Sequence, residues 1–249
     1  SPDGAGRPEC LLGYNHRMPE SPPHADDYRF SREVYSRSER KLLREGQWAN
    51  ARVELVRIDG VDWTVKDFAP RAWWVRNSVG RFLLRRELRV LQRLHGIAGI
   101  SPAAFRIDAY AMATRYLPGR ILAQVRPDEV TPAFFLQLEA LVQSMHARKL
   151  VHLDIRGPKN LLLQPDGRPG IIDFQSSLST RWLPGFLRRI LEDIDIGGVY
   201  KRWNLWQPQT LDAGRRAVFE RGNRLRRFWM LRGYPTLGTK RRRDGRQDH

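Results

Sequence analysis

The chain has 249 residues, enough for one domain with a full core, and its 41% hydrophobic content is ordinary for a globular protein. Lysine and arginine number 44 against 27 aspartates and glutamates, a formal net charge of +17, which directs attention to polyanionic partners such as anionic lipid, phosphorylated glycan or nucleic acid. The single cysteine, Cys10, excludes an intrachain disulfide, and no apolar run approaches the ~20 residues of a membrane-spanning helix.

Residues 1–26 contain five prolines and little apolar pattern, so a flexible tail is expected there. A charged helix is expected over Tyr28–Gly46. The loop Gly46-Gln47-Trp48-Ala49-Asn50-Ala51 leads into two β-type runs, Val53–Ile58 and Trp63–Phe68, on either side of the hairpin signal Asp59-Gly60. Apolar residues at Phe82, Leu84, Leu88, Leu91 and Leu94 give Arg81–Leu94 a helical spacing, with Glu87 inside it. Tyr110–Arg115 reads as a strand that breaks at Tyr116-Leu117-Pro118-Gly119. Thr131 and Pro132 then begin a helix as N-cap and first helical residue. Phe134, Leu138, Leu141, Val142 and Met145 form its core stripe, and His95 and His146 read as structural.

The stretch from Val151 to Ser176 carries the most chemistry. His152, Asp154, Asn160 and Asp173 fall within it. Two apolar runs, Leu161–Leu163 and Gly170–Ile172, flank the turn signal Pro165-Asp166-Gly167. Two short strands would hold Asn160 and Asp173 side by side, with Asp154 just upstream. Phosphoryl transfer uses such a set: one Asp to orient the attacking hydroxyl, and an Asn and an Asp to hold metal on the nucleotide phosphates. A plain hairpin with solvated carboxylates is the alternative. Beyond it, Leu183–Ile194 reads either as a core helix with a solvated arginine face or as a surface helix with Trp182 and Phe186 at a membrane. Leu211–Leu231 is rich in arginine and aromatic residues. From Arg181 to His249, seventeen lysines and arginines stand against seven acidic residues.

These motifs resemble the protein-kinase-like superfamily, pattern H-x-D…N…D-F-x, and within it the bacterial lipopolysaccharide-core kinases of the Kdo and heptose type and the similar RIO kinases. The resemblance spans roughly Gly46 to Trp203. It rests on Trp63–Phe68, Arg86-Glu87, His152–Asn160, Ile172–Ser176 and Asp195–Trp203. It implies an α+β, two-lobed kinase-like fold in a single domain over 27–235. A small β-rich N-lobe would cover 46–115, a mainly helical C-lobe 116–235, and a basic disordered tail 236–249. The cofactors implied are ATP and Mg2+. Asp154 would be catalytic, Asn160 and Asp173 would bind metal, Lys66 would grip the phosphates, and Glu87 would pair with Lys66. Gly46 and Asn50 would meet the nucleotide from the loop, and His152 would brace the catalytic loop.

Two departures accompany the matches. The glycine-rich loop is reduced to Gly46 alone. The Asp154-to-Asn160 spacing is six, one more than in protein kinases, with Arg156-Gly157-Pro158-Lys159 filling the gap. The segment after Asp173 is also too short to dock a peptide. The expected reaction is therefore phosphorylation of a hydroxyl on a lipid-linked sugar or related envelope molecule. A RIO-like protein serine/threonine kinase and a nucleotide-binding pseudokinase are the alternatives. The expected partners are a glycolipid or sugar acceptor and an anionic membrane surface met through the basic C-terminal region. Nucleic acid is not expected, since no RNA- or DNA-binding motif is present. No signal peptide is visible, and the expected location is cytoplasmic, peripheral on the inner membrane.

Overall fold

The computed structural model describes residues 29–230 except Gln47 and Ala49, with side chains 222–230 left aside. The tails expected over 1–26 and 236–249 lie outside the described residues. In chain order the first elements are α1 (Arg32–Arg37), β1 (Arg40–Arg44), β2 (Arg52–Ile58), β3 (Val61–Asp67) and α2 (Trp73–Val75). A π-helical turn, Arg76–Gly80, carries α2 into α3 (Arg81–Leu94). Then come β4 (Ala104–Arg106), β5 (Ala111–Arg115), β6 (Arg120–Ile121) and α4 (Pro132–Ala147). The rest comprises β7 (Leu150–Val151), β8 (Leu161–Leu163), β9 (Pro169–Ile171), β10 (Leu178–Ser179), α5 (Gly185–Trp206) and α6 (Ala213–Met230).

The fold is mixed α and β. Five strands form an antiparallel sheet in the order β1-β2-β3-β5-β4, and β6, β8 and β9 form a second, three-stranded sheet. The expected helix over Tyr28–Gly46 is corrected. Among the described residues of that segment only Arg32–Arg37 is helical, capped by the Ser31 hydroxyl, and Ser38 turns the backbone extended. Strand pairing then overrides the charged-helix pattern: Arg40 lies opposite Val56 and Leu42 opposite Glu54. The Asp59-Gly60 turn has positive φ at both residues, the geometry a two-residue hairpin requires.

Alternation along β3 fixes what each face of the large sheet does. Trp63, Val65 and Asp67 share the outer face, and Thr64 and Lys66 the inner one. The outer face packs a small core of Phe30, Tyr35, Val56, Ile58, Trp63, Val65 and Phe105, in which Phe30, Trp63 and Phe105 meet edge-on at 5.0–5.8 Å. Arg32 of α1 clamps this face through Asp67 at 2.5 Å and Asp108 at 2.6 Å. The larger core joins Phe68 and α3 to α4 and α5, and full burial of a side chain such as Phe68 contributes roughly 1.5–3 kcal/mol.

Thr131 caps α4 and Pro132 opens it, as the sequence leads one to expect. Phe135 of α4 stacks on Trp203 of α5 at 5.5 Å. Glu139 of α4 accepts from Tyr200 of α5 and from Arg215 of α6, which ties the three helices together. Among the described residues no helix is long and apolar enough to cross a membrane.

Candidate active site

Lys66 is the inner-face residue of β3 nearest α3. Its ammonium donates to Glu87 Oε1 at 2.7 Å and Oε2 at 2.9 Å, and to Asp173 Oδ1 at 2.8 Å. Glu87 is buried because it occupies the inward stripe of α3 with Leu84, Leu91 and Leu94, at helical spacings of three, four and three. Phe82, expected in that stripe, is 61% exposed instead. Glu87 Oε1 also lies 3.3 Å from the Phe174 amide, so α3 holds both Lys66 and the residue after Asp173.

Burial opposes the Lys66 charge. The carboxylates of Glu87 and Asp173 more than offset it, and the lysine pKa is raised. Burial likewise opposes the Asp173 charge, but Lys66 and Arg44 outweigh it and hold this carboxyl below the usual range. Arg44 Nη2 approaches Asp173 Oδ2 to 4.0 Å from the end of β1.

The hairpin of β8 and β9 brings Asn160 to Asp173. Leu161 pairs with Ile171, so Asn160 stands opposite Ile172, whose amide donates to the Asn160 carbonyl at 3.0 Å. Asp173 follows in the left-handed region, at φ 64°, and turns its side chain toward Lys66. Asn160 Nδ2 donates to Asp154 Oδ2 at 2.7 Å and to the Asp154 carbonyl at 3.1 Å. The six-residue spacing therefore still brings these two side chains into contact. The intervening loop is held by the Ala123 amide, which donates to the Pro158 carbonyl at 3.2 Å.

His152 is fully buried. Its Nε2 lies 3.2 Å from the Ile172 carbonyl, and its Nδ1 lies 3.3 Å from the Asp154 amide. One neutral tautomer satisfies both contacts: Nε2–H donates and Nδ1 accepts. The histidine thus spans the loop and the hairpin, and its ring meets Phe174 edge-on at 5.0 Å.

Asp195 of α5 was not singled out by its chemistry in the sequence. Its carboxylate accepts from the backbone amides of His152 at 2.6 Å and Leu153 at 2.7 Å, and contacts His146 Nε2 at 3.2 Å. The signal available was its place in the buried stripe of α5 with Val199 and Trp203, where a carboxylate needs a built partner set.

Lys66, Glu87, Asn160 and Asp173 line one cleft of about 400 Å³, closed on one side by Thr114, Arg115, Tyr116 and Leu117 and on the other by Leu162 and Ile171. Asp154 is exposed and joins the cleft through Asn160. Arg44 and Lys159 line the cleft as well. Arg44 escaped notice because its segment reads as helix, and Lys159 because it reads as loop filler. Gly46 and Asn50 sit in the β1–β2 loop and are not among the lining residues. Gly46, at φ +71°, lets that loop close: a Cβ there would lie 2.3 Å from the Ala51 carbonyl oxygen.

The oxygen donors suit a hard cation. Asn160 is oriented by its two donated bonds, which leaves Oδ1 as the ligand atom, and Asp173 adds a carboxylate. Magnesium commonly takes only one or two protein ligands beside substrate phosphates. Among the described residues no group of three or more His, Cys, Asp or Glu converges on a metal position. No family model matches the chain, and the comparison with curated proteins finds no match either.

Proposed function

We propose that the chain is an ATP-dependent phosphotransferase of protein-kinase-like, two-lobed architecture, with the five-stranded sheet and α3 as the small lobe and the helical remainder as the large one. The observation that carries this reading is one cleft lined by Lys66, Glu87, Asp173 and Asn160, in which Lys66 donates to both Glu87 and Asp173 and Asn160 donates to Asp154 beside it. That arrangement supplies positioning and charge neutralisation, which together account for most of the catalysis of phosphoryl transfer.

Lys66 holds phosphate oxygens of ATP, and Glu87 keeps the ammonium aimed into the cleft. Asp154 orients the acceptor hydroxyl and takes its proton. Asn160 Oδ1 and the Asp173 carboxylate hold Mg2+, which when bound neutralises charge on the transferring phosphoryl group. The backbone of Tyr116–Gly119, at the break after β5, is the expected seat of the adenine. The acceptor is a hydroxyl of a lipid-linked sugar or related envelope molecule. Its support is the short connection from Asp173 to α5, which holds one 3-10 turn and the two residues of β10 pinned to β7. That leaves little chain for a peptide platform.

A second reading has an observation of its own. The Lys66–Asp173 bond at 2.8 Å ties the phosphate-binding and cation-binding side chains to each other, as suits a nucleotide-binding pseudokinase. Transfer of labelled γ-phosphate from Mg-ATP into a bacterial envelope extract, separated into lipid, glycan and protein, distinguishes these. Label in glycolipid that disappears with Asp154→Ala is the expected result. Label confined to protein favours a RIO-like protein kinase. Stabilisation by Mg-ATP without transfer favours the pseudokinase.

A further inference from the structure

The face of α3 opposite Glu87 forms a second groove of about 880 Å³. Arg81, Arg85, Arg86, Arg89 and Arg93 line one wall, and Ser177, Leu178 and Ser179 the other. Two of these arginines are engaged. Arg86 donates to the Ser177 carbonyl at 2.8 Å, and Arg93 to Ser179 Oγ at 2.9 Å and the Arg148 carbonyl at 2.6 Å. Arg81, Arg85 and Arg89 repeat at four-residue spacing along the same wall, and among the described residues no carboxylate pairs with them.

The surrounding sequence is one-sided. Between Ala69 and Leu94 stand seven arginines and one acidic residue, Glu87, which is buried toward the cleft. From Phe174 to Leu191 there is no acidic residue at all. Large apolar side chains stand in water beside this charge. Trp73 and Trp74 are 72% and 62% exposed at the start of the helix, and Phe82 and Leu178 are exposed along the groove. Within seven residues of the far wall, the chain exposes Trp182 and Phe186 as well.

Arginines and tryptophans on one face of a helix that does not span suit the headgroup layer of an anionic bilayer. A nucleic-acid strand could meet the arginines and stack on the tryptophans. Leu178 offers no ring for stacking, whereas the acyl boundary takes it.

We propose that the α2–α3 face docks on an anionic lipid bilayer, with Arg81, Arg85 and Arg89 against headgroup phosphates and Trp74 and Phe82 at the acyl boundary. This surface is distinct from the C-terminal region. There, Arg215 is taken by Glu139 at 2.9 Å and Phe219 packs on the large core. The proposal does not depend on the phosphotransferase reading, because none of the three arginines belongs to the cleft.

The test is co-sedimentation of the full chain with vesicles of equimolar phosphatidylglycerol and phosphatidylcholine, beside vesicles of phosphatidylcholine alone. The expected result is binding to the anionic vesicles only. The combined Arg81→Gln, Arg85→Gln and Arg89→Gln variant should bind on the order of 100-fold more weakly, since each arginine near such a surface contributes roughly a factor of five. Lysine at the same three positions should restore binding, which separates lost charge from lost folding. Trp74→Ala with Phe82→Ala should weaken what binding persists at high salt. Equal binding to neutral vesicles, or unchanged binding by the glutamine variant, overturns the proposal. So does binding of poly-uridylate, in place of vesicles, that the glutamine variant loses.

Discussion

Glu87 accepts two hydrogen bonds from the Lys66 ammonium, and both side chains are buried between β3 and α3. A buried charge that loses its counter-charge is costly, but Lys66 keeps Asp173 as a second partner. Glu87→Gln preserves shape and one acceptor while removing the charge. Stability should fall by about 2 kcal/mol in denaturant unfolding. Phosphoryl transfer should fall on the order of 10–100-fold, with KM for ATP raised, as the ammonium loses its fixed position. An unaltered KM alongside unaltered transfer would remove Glu87 from the site.

Asp195 acts at a distance from the cleft. It holds the amides of His152 and Leu153, and Leu153 stands at φ +67°, a conformation that costs a non-glycine residue about 1–3 kcal/mol. Asp195→Asn turns a donor toward one of those two amides. The loss should be about 3 kcal/mol in stability. The loop carrying Asp154 should lose its geometry while the Lys66–Glu87 side stays intact. Transfer should therefore collapse with nucleotide affinity nearly unchanged, a split visible by comparing turnover with calorimetric titration of ATP.

The pH dependence has two limbs. The folded pKa of Asp173 lies below its ordinary value of about 3.9, so its contribution to stability is present above that value and is lost as pH falls through the folded pKa. Lys66 is raised above about 10.4, so its contribution is complete below that value and is lost as pH rises through the folded pKa. Between these limits Lys66 and Asp173 each contribute a constant amount. The unfolding midpoint of the unsubstituted protein minus that of Asp173→Asn should be flat across this range and shrink at the acid end. A difference that varied near neutrality would locate the titrating group elsewhere.

Much of this architecture is legible before any coordinates. The turn at Asp59-Gly60, the cap at Thr131 and the stripe of α4 are local signals, and local backbone chemistry decides them. The hairpin that sets Asn160 beside Asp173 is legible for the same reason, because a short turn fixes its register. What escapes is long-range. β1 is a strand only because β2 lies beside it, so Arg44 was hidden in a segment with helical composition. Phe82 fits an apolar helical pattern, yet Glu87 takes the inward place once Lys66 is available to neutralise it. Asp195 is one acid among several in α5 until folding brings two backbone amides to it, 43 and 42 residues upstream.

Adjacent glycines of α5 separate close approach from helix propensity. A Cβ on Gly198 would stand 3.0 Å from the Arg156 amide nitrogen and 3.3 Å from its Cα, both backbone atoms that cannot swing aside. A Cβ on Gly197 would meet nothing within 4 Å. Alanine favours a helix interior over glycine by about 1 kcal/mol, so Gly197→Ala should stabilise by up to that amount and leave transfer unchanged. Gly198→Ala has the same propensity gain, but it must push α5 away from the loop two residues after Asp154, at an overpacking cost of roughly 1–3 kcal/mol. Net destabilisation of about 1 kcal/mol and reduced transfer are expected, measured by thermal unfolding and by label transfer. If both alanines stabilised equally, α5 would not be seated against the Asp154 loop, and the bracing role given to Asp195 would fall with it.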